Sequence, residues 1–140
     1  MSRHYITTAN LDAFTDYISQ PAFLAPNGSV RSVLCSELAF TSISYGGCYS
    51  NDAVQAAAAS YAYLAAESNQ HIDGIFLQEM DSPSEIASSG IAGGLMSTNG
   101  TKKPAYAAYA GINNQKTRDA IVQAMNATAG KDLVQTIAAR

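Results

Sequence analysis

Four polar side chains at the ends of two predicted strands are the residues of this sequence best suited to chemistry. Glu37 lies in the stretch Val30–Ser42, whose apolar and β-branched residues predict a strand that gives way to a polar loop. Gln78, Glu79 and Asp81 closely follow a second apolar run. Ligands of α/β proteins bind at the carboxyl ends of parallel strands, because the loops there vary while the strands hold side chains rigidly. We therefore expect these four side chains to border a binding site.

The segments between these residues predict the unit that would position them. Asp52–Ser68 is rich in alanine and predicts a helix, and Ile72–Leu77 predicts the second strand. A strand, a helix and a strand in this order are typical of a crossover that makes the two strands parallel. Parallel neighbours would place Glu37 on the same rim as Gln78–Asp81. The alternative is that Glu37 caps a loop or pairs with a base, and that the later carboxylates lie in a solvated loop.

The remaining sequence predicts helices and connecting loops. Gly90–Leu95 is expected to be a flexible apolar loop, and Met96–Lys103 an exposed turn. The further predicted helices are Asn10–Ser19, a short turn over Ser84–Ser89, Ala105–Gly111 opened by Pro104, Thr117–Ala127 and Lys131–Ala139. These elements indicate the α/β class with two parallel strands. Since so narrow a parallel sheet leaves faces and edges uncovered, we expect the chain to be part of a larger fold or to form homo-oligomers.

Composition argues against several classes of partner. The chain has 140 residues, enough for one domain, with 14% charged residues and a net charge of −3. That mild acidity argues against nucleic acid, which needs a basic surface. No apolar run reaches the length of a membrane span, and the N-terminus lacks the apolar core of a signal peptide, so we expect a soluble chain without a membrane partner. Cys35 and Cys48 are taken as thiols; no metal and no other cofactor is predicted.

Four stretches of the sequence carry a resemblance to a known family. They are Val33-Leu34-Cys35-Ser36-Glu37-Leu38-Ala39-Phe40-Thr41-Ser42, Gln55-Ala56-Ala57-Ala58 with Tyr61-Ala62-Tyr63, His71-Ile72-Asp73-Gly74 with Asp81 and Glu85, and Lys103-Pro104-Ala105-Tyr106. In this order and spacing the chain resembles the C-terminal part of a bacterial family of unknown function that is similar to (β/α)8-barrel glycoside hydrolases. The likeness covers roughly residues 5–112, with 113–140 as C-terminal helices, and residues 1–140 then form a single partial domain.

The resemblance implies both a fold and a reaction. The chain would supply the closing portion of a TIM barrel, with the Glu37 strand as the seventh and Ile72–Leu77 as the eighth. In retaining glycosidases of this type a glutamate at the end of the seventh strand is the nucleophile, and Glu37 matches that position. The acid/base glutamate belongs to the fourth strand, which would precede Met1. We therefore expect the chain alone to be inactive, because retaining hydrolysis needs two carboxyl groups about 5 to 5.5 Å apart.

The same resemblance implies a carbohydrate ligand. Gln78, Glu79 and Asp81 would hydrogen-bond a sugar. Related sites often carry an aromatic platform at the eighth strand, where this chain has Gln78-Glu79-Met80, and the chain contains no tryptophan. The rival interpretation is a non-catalytic carbohydrate-binding or assembly module of barrel descent, completed by the upstream part of the barrel or by a second copy. The compartment stays open, with a secreted bacterial parent protein as one option.

Overall fold

The computed structural model describes residues 6–139 and shows a mixed arrangement of helices and strands. Six helices and two strands follow one another along these residues, with a short 3-10 turn at Pro21–Phe23 between the first two elements. Their bounds are α1 Leu11–Ile18, β1 Val33–Leu38, α2 Asp52–Glu67, β2 Ile72–Leu77, α3 Pro83–Ser89, α4 Pro104–Gly111, α5 Gln115–Ala129 and α6 Leu133–Ala138. The α/β class and the predicted strand–helix–strand order are confirmed.

Local sequence explains where the central helix begins. The side chain of Asn51 caps α2 by accepting a 2.9 Å hydrogen bond from the backbone N–H of Val54. Asp52 then places a negative charge in the first turn, where the helix dipole favours it, and the alanines that follow favour helix throughout.

Among residues 6–139, no helix combines the length and the apolar character needed to cross a membrane.

The two strands pair in parallel, and β1 contains an irregularity. Cys35 pairs with Ile75 and Leu38 pairs with Leu77, so three residue steps along β1 match two along β2. The extra residue of this β-bulge lies in the Ser36–Glu37 segment. Because neighbouring residues of a regular strand face opposite sides, one extra residue changes which side chains reach each face.

The sheet is covered on one face only. Ala62 and Ala66 of α2 pack closely against Ile75, and their small side chains allow the helix to approach the sheet. On the uncovered face Leu34 is 60% and Phe76 57% exposed. The expectation that β1 is a buried strand was therefore wrong for this face, because within the described chain α2, together with Tyr109 of α4, packs on the opposite face.

The other side of α2 packs against the C-terminal helices. Leu64 forms a core there with Ile112 and Met125, and both of the latter are almost completely buried. The Arg118 guanidinium forms an ion pair and hydrogen bonds with Glu67, which fastens α5 to the end of α2. These hydrogen bonds lower the pKa of Glu67. The helix α2 is thus the central layer between the sheet and the C-terminal helices.

The segment expected to be a flexible apolar loop is in fact buried. Residues 92–95 are buried, and the backbone N–H of Leu95 donates to the carbonyl of Gln78 at 3.0 Å. The carbonyl of Ala92 accepts from the backbone N–H of Ser42 at 3.0 Å. The expectation of flexibility was wrong because this segment fills the space above the ends of both strands and satisfies their backbone groups.

Candidate functional site

The carboxyl ends of β1 and β2 form one rim. The backbone N–H of Gln78 donates to the carbonyl of Leu38 at 2.9 Å, so the pairing continues past the end of β2. Glu37 is the residue before Leu38 on the neighbouring strand. The structure therefore brings the backbone of the Glu37 position next to the segment that carries Gln78, Glu79 and Asp81.

Glu37 presents its carboxylate at the surface of the rim. The residue is exposed, and within residues 6–139 its side chain makes no hydrogen bond or ion pair. Cys35 and Leu38 both pack on the α2 side of the sheet, whereas Ser36 and Glu37, between them, are exposed. The bulge thus keeps the carboxylate out of the face that α2 covers. A carboxylate in this state can accept hydrogen bonds or act as a nucleophile.

Gln78 and Glu79 differ in how firmly they are held. The side-chain amide of Gln78 donates to the carbonyl of Met80 at 3.0 Å and to a carboxylate oxygen of Glu85 at 3.2 Å. Glu79 is exposed, while its backbone carbonyl accepts from the N–H of Met96 at 2.8 Å. The structure thus fixes the orientation of Gln78 and leaves the carboxylate of Glu79 in solvent.

Asp81 lies in a buried ion pair. Its carboxylate accepts hydrogen bonds from the backbone N–H of Gly94 and from Lys103 Nζ, both at 2.8 Å through Oδ1, while Oδ2 lies 2.7 Å from Lys103 Nζ. The Asp81 side chain is 5% and the Lys103 side chain 9% exposed. Lys103 also donates to Ser42 Oγ and to the carbonyl of Ala92. The pair fastens the segment of residues 92–95 over the strand ends.

Gln55 is a second buried polar residue at the rim, and sequence analysis assigned it no role. It is 1% exposed, and its amide Nε2 donates to the carbonyls of Phe40 at 2.7 Å and Gly94 at 3.0 Å. It therefore connects the chain leaving β1 to the same buried segment that Lys103 holds. One sequence feature could have indicated its burial. Gln55 is a single glutamine among the alanines of α2, and it lies on the same helix face as Ala59, which is one turn later and buried.

The close fit of this segment requires glycine at one position. A Cβ atom on Gly94 would lie 2.2 Å from the backbone nitrogen of Asp81 and 2.3 Å from the carbonyl carbon of Met80. Neither backbone atom can move without disturbing the ion pair. Gly94 therefore lets the segment approach close enough for its N–H to reach Asp81.

The rim chemistry involves oxygen and nitrogen groups of the chain. Within the described residues, no three His, Cys, Asp or Glu side chains are arranged to hold a metal ion. Cys35 lies on the α2 side of β1, and burial raises the pKa of its thiol. A raised pKa disfavours the reactive thiolate, which makes Cys35 a packing residue in this position.

Comparison with known proteins gives one match. The model of a family of unknown function (DUF5722) matches residues 1–137. No significant match was found among curated proteins or among solved structures.

Proposed function

The chain belongs to this family of unknown function, and we propose that it forms the closing part of a (β/α)8 barrel that hydrolyses glycosidic bonds with retention of configuration. In this proposal β1 is the seventh strand, α2 the seventh helix and β2 the eighth strand. Glu37 is the nucleophile, and the ligand is a carbohydrate. The second carboxyl group comes from another part of the barrel.

The observation that carries the proposal is the one-sided covering of the parallel sheet. In a TIM barrel, helices cover the outer face of the strands and the inward side chains fill the barrel interior. Here α2 covers one face, and the apolar side chains of Leu34 and Phe76 are exposed on the other. Their positions match those of interior side chains that further strands would enclose.

The state of Glu37 suits a nucleophile. In a retaining reaction the carboxylate attacks the anomeric carbon and the leaving group departs, which gives a covalent glycosyl-enzyme intermediate that water then hydrolyses. An attacking oxygen must be accessible to the sugar, and Glu37 is exposed and has no partner within residues 6–139. Its place near the end of β1 agrees with the rule that catalytic residues of barrels lie at the carboxyl ends of strands.

The neighbouring residues support the site in two ways. Glu79 through its exposed carboxylate and Gln78 through its amide oxygen would accept hydrogen bonds from the hydroxyl groups of the sugar, since both lie on the rim directly after β2 and the Gln78 amide nitrogen already donates to Met80 and Glu85. Asp81 was expected to do the same, but its oxygens already accept hydrogen bonds from Lys103 and Gly94. We propose that Asp81 positions the rim backbone and leaves the direct contact with the sugar to the other two.

A trapping experiment tests the nucleophile directly. Dinitrophenyl 2-deoxy-2-fluoroglycosides form the glycosyl-enzyme, and the fluorine slows its hydrolysis. Their leaving group departs without protonation, so labelling needs no acid residue. The protein made from the natural gene is treated with gluco-, galacto-, manno- and xylo-configured reagents. We expect the mass of one fluorosugar to be added to the peptide that contains Glu37.

Two variants make this result specific. Glu37→Gln should abolish labelling, because the amide is a far weaker nucleophile than the carboxylate. Asp73→Asn serves as the matched control and should still be labelled, because Asp73 is also an exposed strand carboxylate but lies near the start of β2, away from the rim. Labelling of Glu37→Gln, or no labelling of the wild type by any reagent, would contradict the proposal.

The second candidate function is a non-catalytic carbohydrate-binding or assembly module. The exposed Leu34 and Phe76 favour it, because an apolar sheet face of this kind can also be covered by a second copy of the chain. Sedimentation equilibrium distinguishes the two. A stable homo-oligomer that binds oligosaccharides and is not labelled at Glu37 would support the module, whereas labelling at Glu37 supports the hydrolase.

A further inference from the structure

A short β-hairpin next to the rim holds two exposed tyrosines. In the hairpin of residues 44–50, Tyr45 and Cys48 exchange backbone hydrogen bonds of 3.1 and 2.9 Å. Gly46 and Gly47 form its turn with φ of +58° and +83°, the left-handed conformation that a tight hairpin turn requires at both positions. The two glycines therefore fix a tight reversal of the chain in the loop between β1 and α2.

Side chains brace this hairpin at its base. Ser44 Oγ donates to the carbonyl of Ser50 and accepts from its N–H, both at 3.0 Å. The side-chain amide of Asn51 donates to the hydroxyl of Tyr49 at 2.7 Å, and the same side chain caps α2. The hydroxyl of Tyr49 is therefore linked to the residue that caps α2, although Tyr49 is 75% exposed.

Tyr45 joins the hairpin to the rim. It is 53% exposed, and its ring passes so close to Gly90 that a Cβ there would lie 3.3 Å from Tyr45 Cδ2. Gly90 lies two residues before the segment of residues 92–95 that covers the strand ends. Tyr45 and Tyr49 are both among the residues that line one shallow cavity of about 310 Å³. Two exposed tyrosines that line one cavity next to a candidate site indicate a binding surface.

The charge of the surroundings restricts the ligand. Residues 38–51 contain no Asp, Glu, Lys, Arg or His, so the hairpin offers no partner for an ionic ligand. Tyrosine presents an apolar ring together with a hydroxyl group that hydrogen-bonds. A pyranose ring has matching chemistry, with C–H groups on its faces and hydroxyl groups around its edge.

We propose that the cavity between Tyr45 and Tyr49 binds one neutral sugar unit of an oligosaccharide, beside the unit that contacts Glu37. This inference rests on the proposed function, because it takes the ligand of the rim to be a carbohydrate. It adds a subsite that determines which oligosaccharides bind and that takes no part in breaking the bond.

Binding measurements with tyrosine variants test the subsite. The natural gene product is titrated by calorimetry with β-1,4-linked gluco-, xylo- and mannotetraose, with α-1,4-linked glucotetraose and with tetragalacturonate as an anionic comparison. We expect at least one neutral tetraose to bind and tetragalacturonate to bind more weakly. Loss of one stacking ring should weaken binding about 2- to 10-fold in each of Tyr45→Ala and Tyr49→Ala.

Matched variants separate stacking from damage to the fold. Tyr49→Phe keeps the ring and should retain binding, although it loses the hydroxyl that Asn51 contacts. Tyr17→Ala removes a similarly exposed tyrosine from α1, 51% exposed and stacked on Phe23, and should leave binding unchanged. Because Tyr49 is mostly in solvent, Tyr49→Ala should keep the wild-type unfolding midpoint.

The outcomes also separate this inference from the proposed function. Labelling at Glu37 together with unchanged tetraose affinity in Tyr45→Ala and Tyr49→Ala would overturn the subsite and leave the hydrolase in place. Weakened tetraose binding in both variants without labelling at Glu37 would support the subsite on a non-catalytic module. Failure of every neutral tetraose to bind the wild type would overturn the subsite.

Discussion

The two strand ends at the rim hold their carboxylates in opposite ways. At the end of β1, Glu37 is exposed and its carboxylate makes no hydrogen bond within residues 6–139. Beyond the end of β2, Asp81 is buried and bonded to Lys103 and Gly94. One end leaves its carboxylate in solvent, and the other uses a carboxylate to build the loop beside it. Burial thus distinguishes Asp81, which supports the loop after β2, from Glu37, whose carboxylate is accessible.

The physical reason for the difference is the cost of removing charge from water. A buried carboxylate is tolerated when a cation and further hydrogen bonds compensate it, and Lys103 and Gly94 supply both for Asp81. An exposed carboxylate needs no such compensation. Substitutions at the β2 end should therefore affect stability, while substitution of Glu37 should leave stability unchanged and, under the proposed function, abolish the reaction.

The largest effect is expected from Lys103→Met. This change leaves the Asp81 carboxylate buried without its cation, which should lower the free energy of unfolding by about 3–5 kcal/mol. Urea denaturation followed by circular dichroism measures it. The control is Lys102→Met, because Lys102 is exposed and its Nζ lies 4.2 Å from the ring centroid of Tyr106, a contact that should contribute about 0.5–1 kcal/mol.

The ion-pair prediction has a further check in a double variant. Lys103→Met combined with Asp81→Leu removes both charges and should recover part of the lost stability, because no unpaired charge stays buried. Equal losses in Lys103→Met and Lys102→Met would show that the buried pair does not hold this end of the sheet.

A smaller loss of stability is expected from Gln55→Leu. The carbonyls of Phe40 and Gly94 would lose their shared donor inside the protein, which should cost about 1–3 kcal/mol. Gln123→Leu, at an exposed position of α5, is the matched control and should change stability by less than about 0.5 kcal/mol. A Gln55→Leu variant as stable as the wild type would mean that the link between the two strand ends is not needed.

The smallest change in stability is expected from Glu37→Gln. The side chain is exposed and has no partner to lose, so its unfolding midpoint in urea should stay within about 0.5 kcal/mol of the wild type. The same variant is expected to lose labelling by fluoroglycosides. A strong destabilisation would instead assign Glu37 a supporting role like that of Asp81 and would remove the contrast between the two ends.

Local patterns in the sequence predict the helices and strands that need no distant partner. The strand Ile72–Leu77 was predicted with its observed bounds, and the predicted helix Asp52–Ser68 is observed as Asp52–Glu67. Alanine content, the Asn51 cap and the short β-branched run are all local signals, so no distant partner is needed to interpret them. The parallel pairing followed from the helix between the strands.

The polar network could not be predicted because its members are distant in sequence. Asp81 and Lys103 are separated by 22 residues, and Gln55 reaches the carbonyl of Gly94 39 residues away. Each of these side chains is exposed in most proteins, and tertiary contacts alone identify them as buried. The same contacts order residues 92–95, whose glycines by themselves indicated flexibility.

Because of the bulge in β1, the number of residues in the strand, and not their type, determines which side of the sheet the Glu37 carboxylate faces. With regular alternation Glu37 would share the side of Cys35 and face the alanines of α2, where a charge would have no compensation. The segment between Cys35 and Leu38 therefore tolerates exchange of the Ser36 side chain more readily than deletion of the residue. The number of residues between Cys35 and Leu38 thus determines whether the Glu37 carboxylate faces solvent or the interior of the protein.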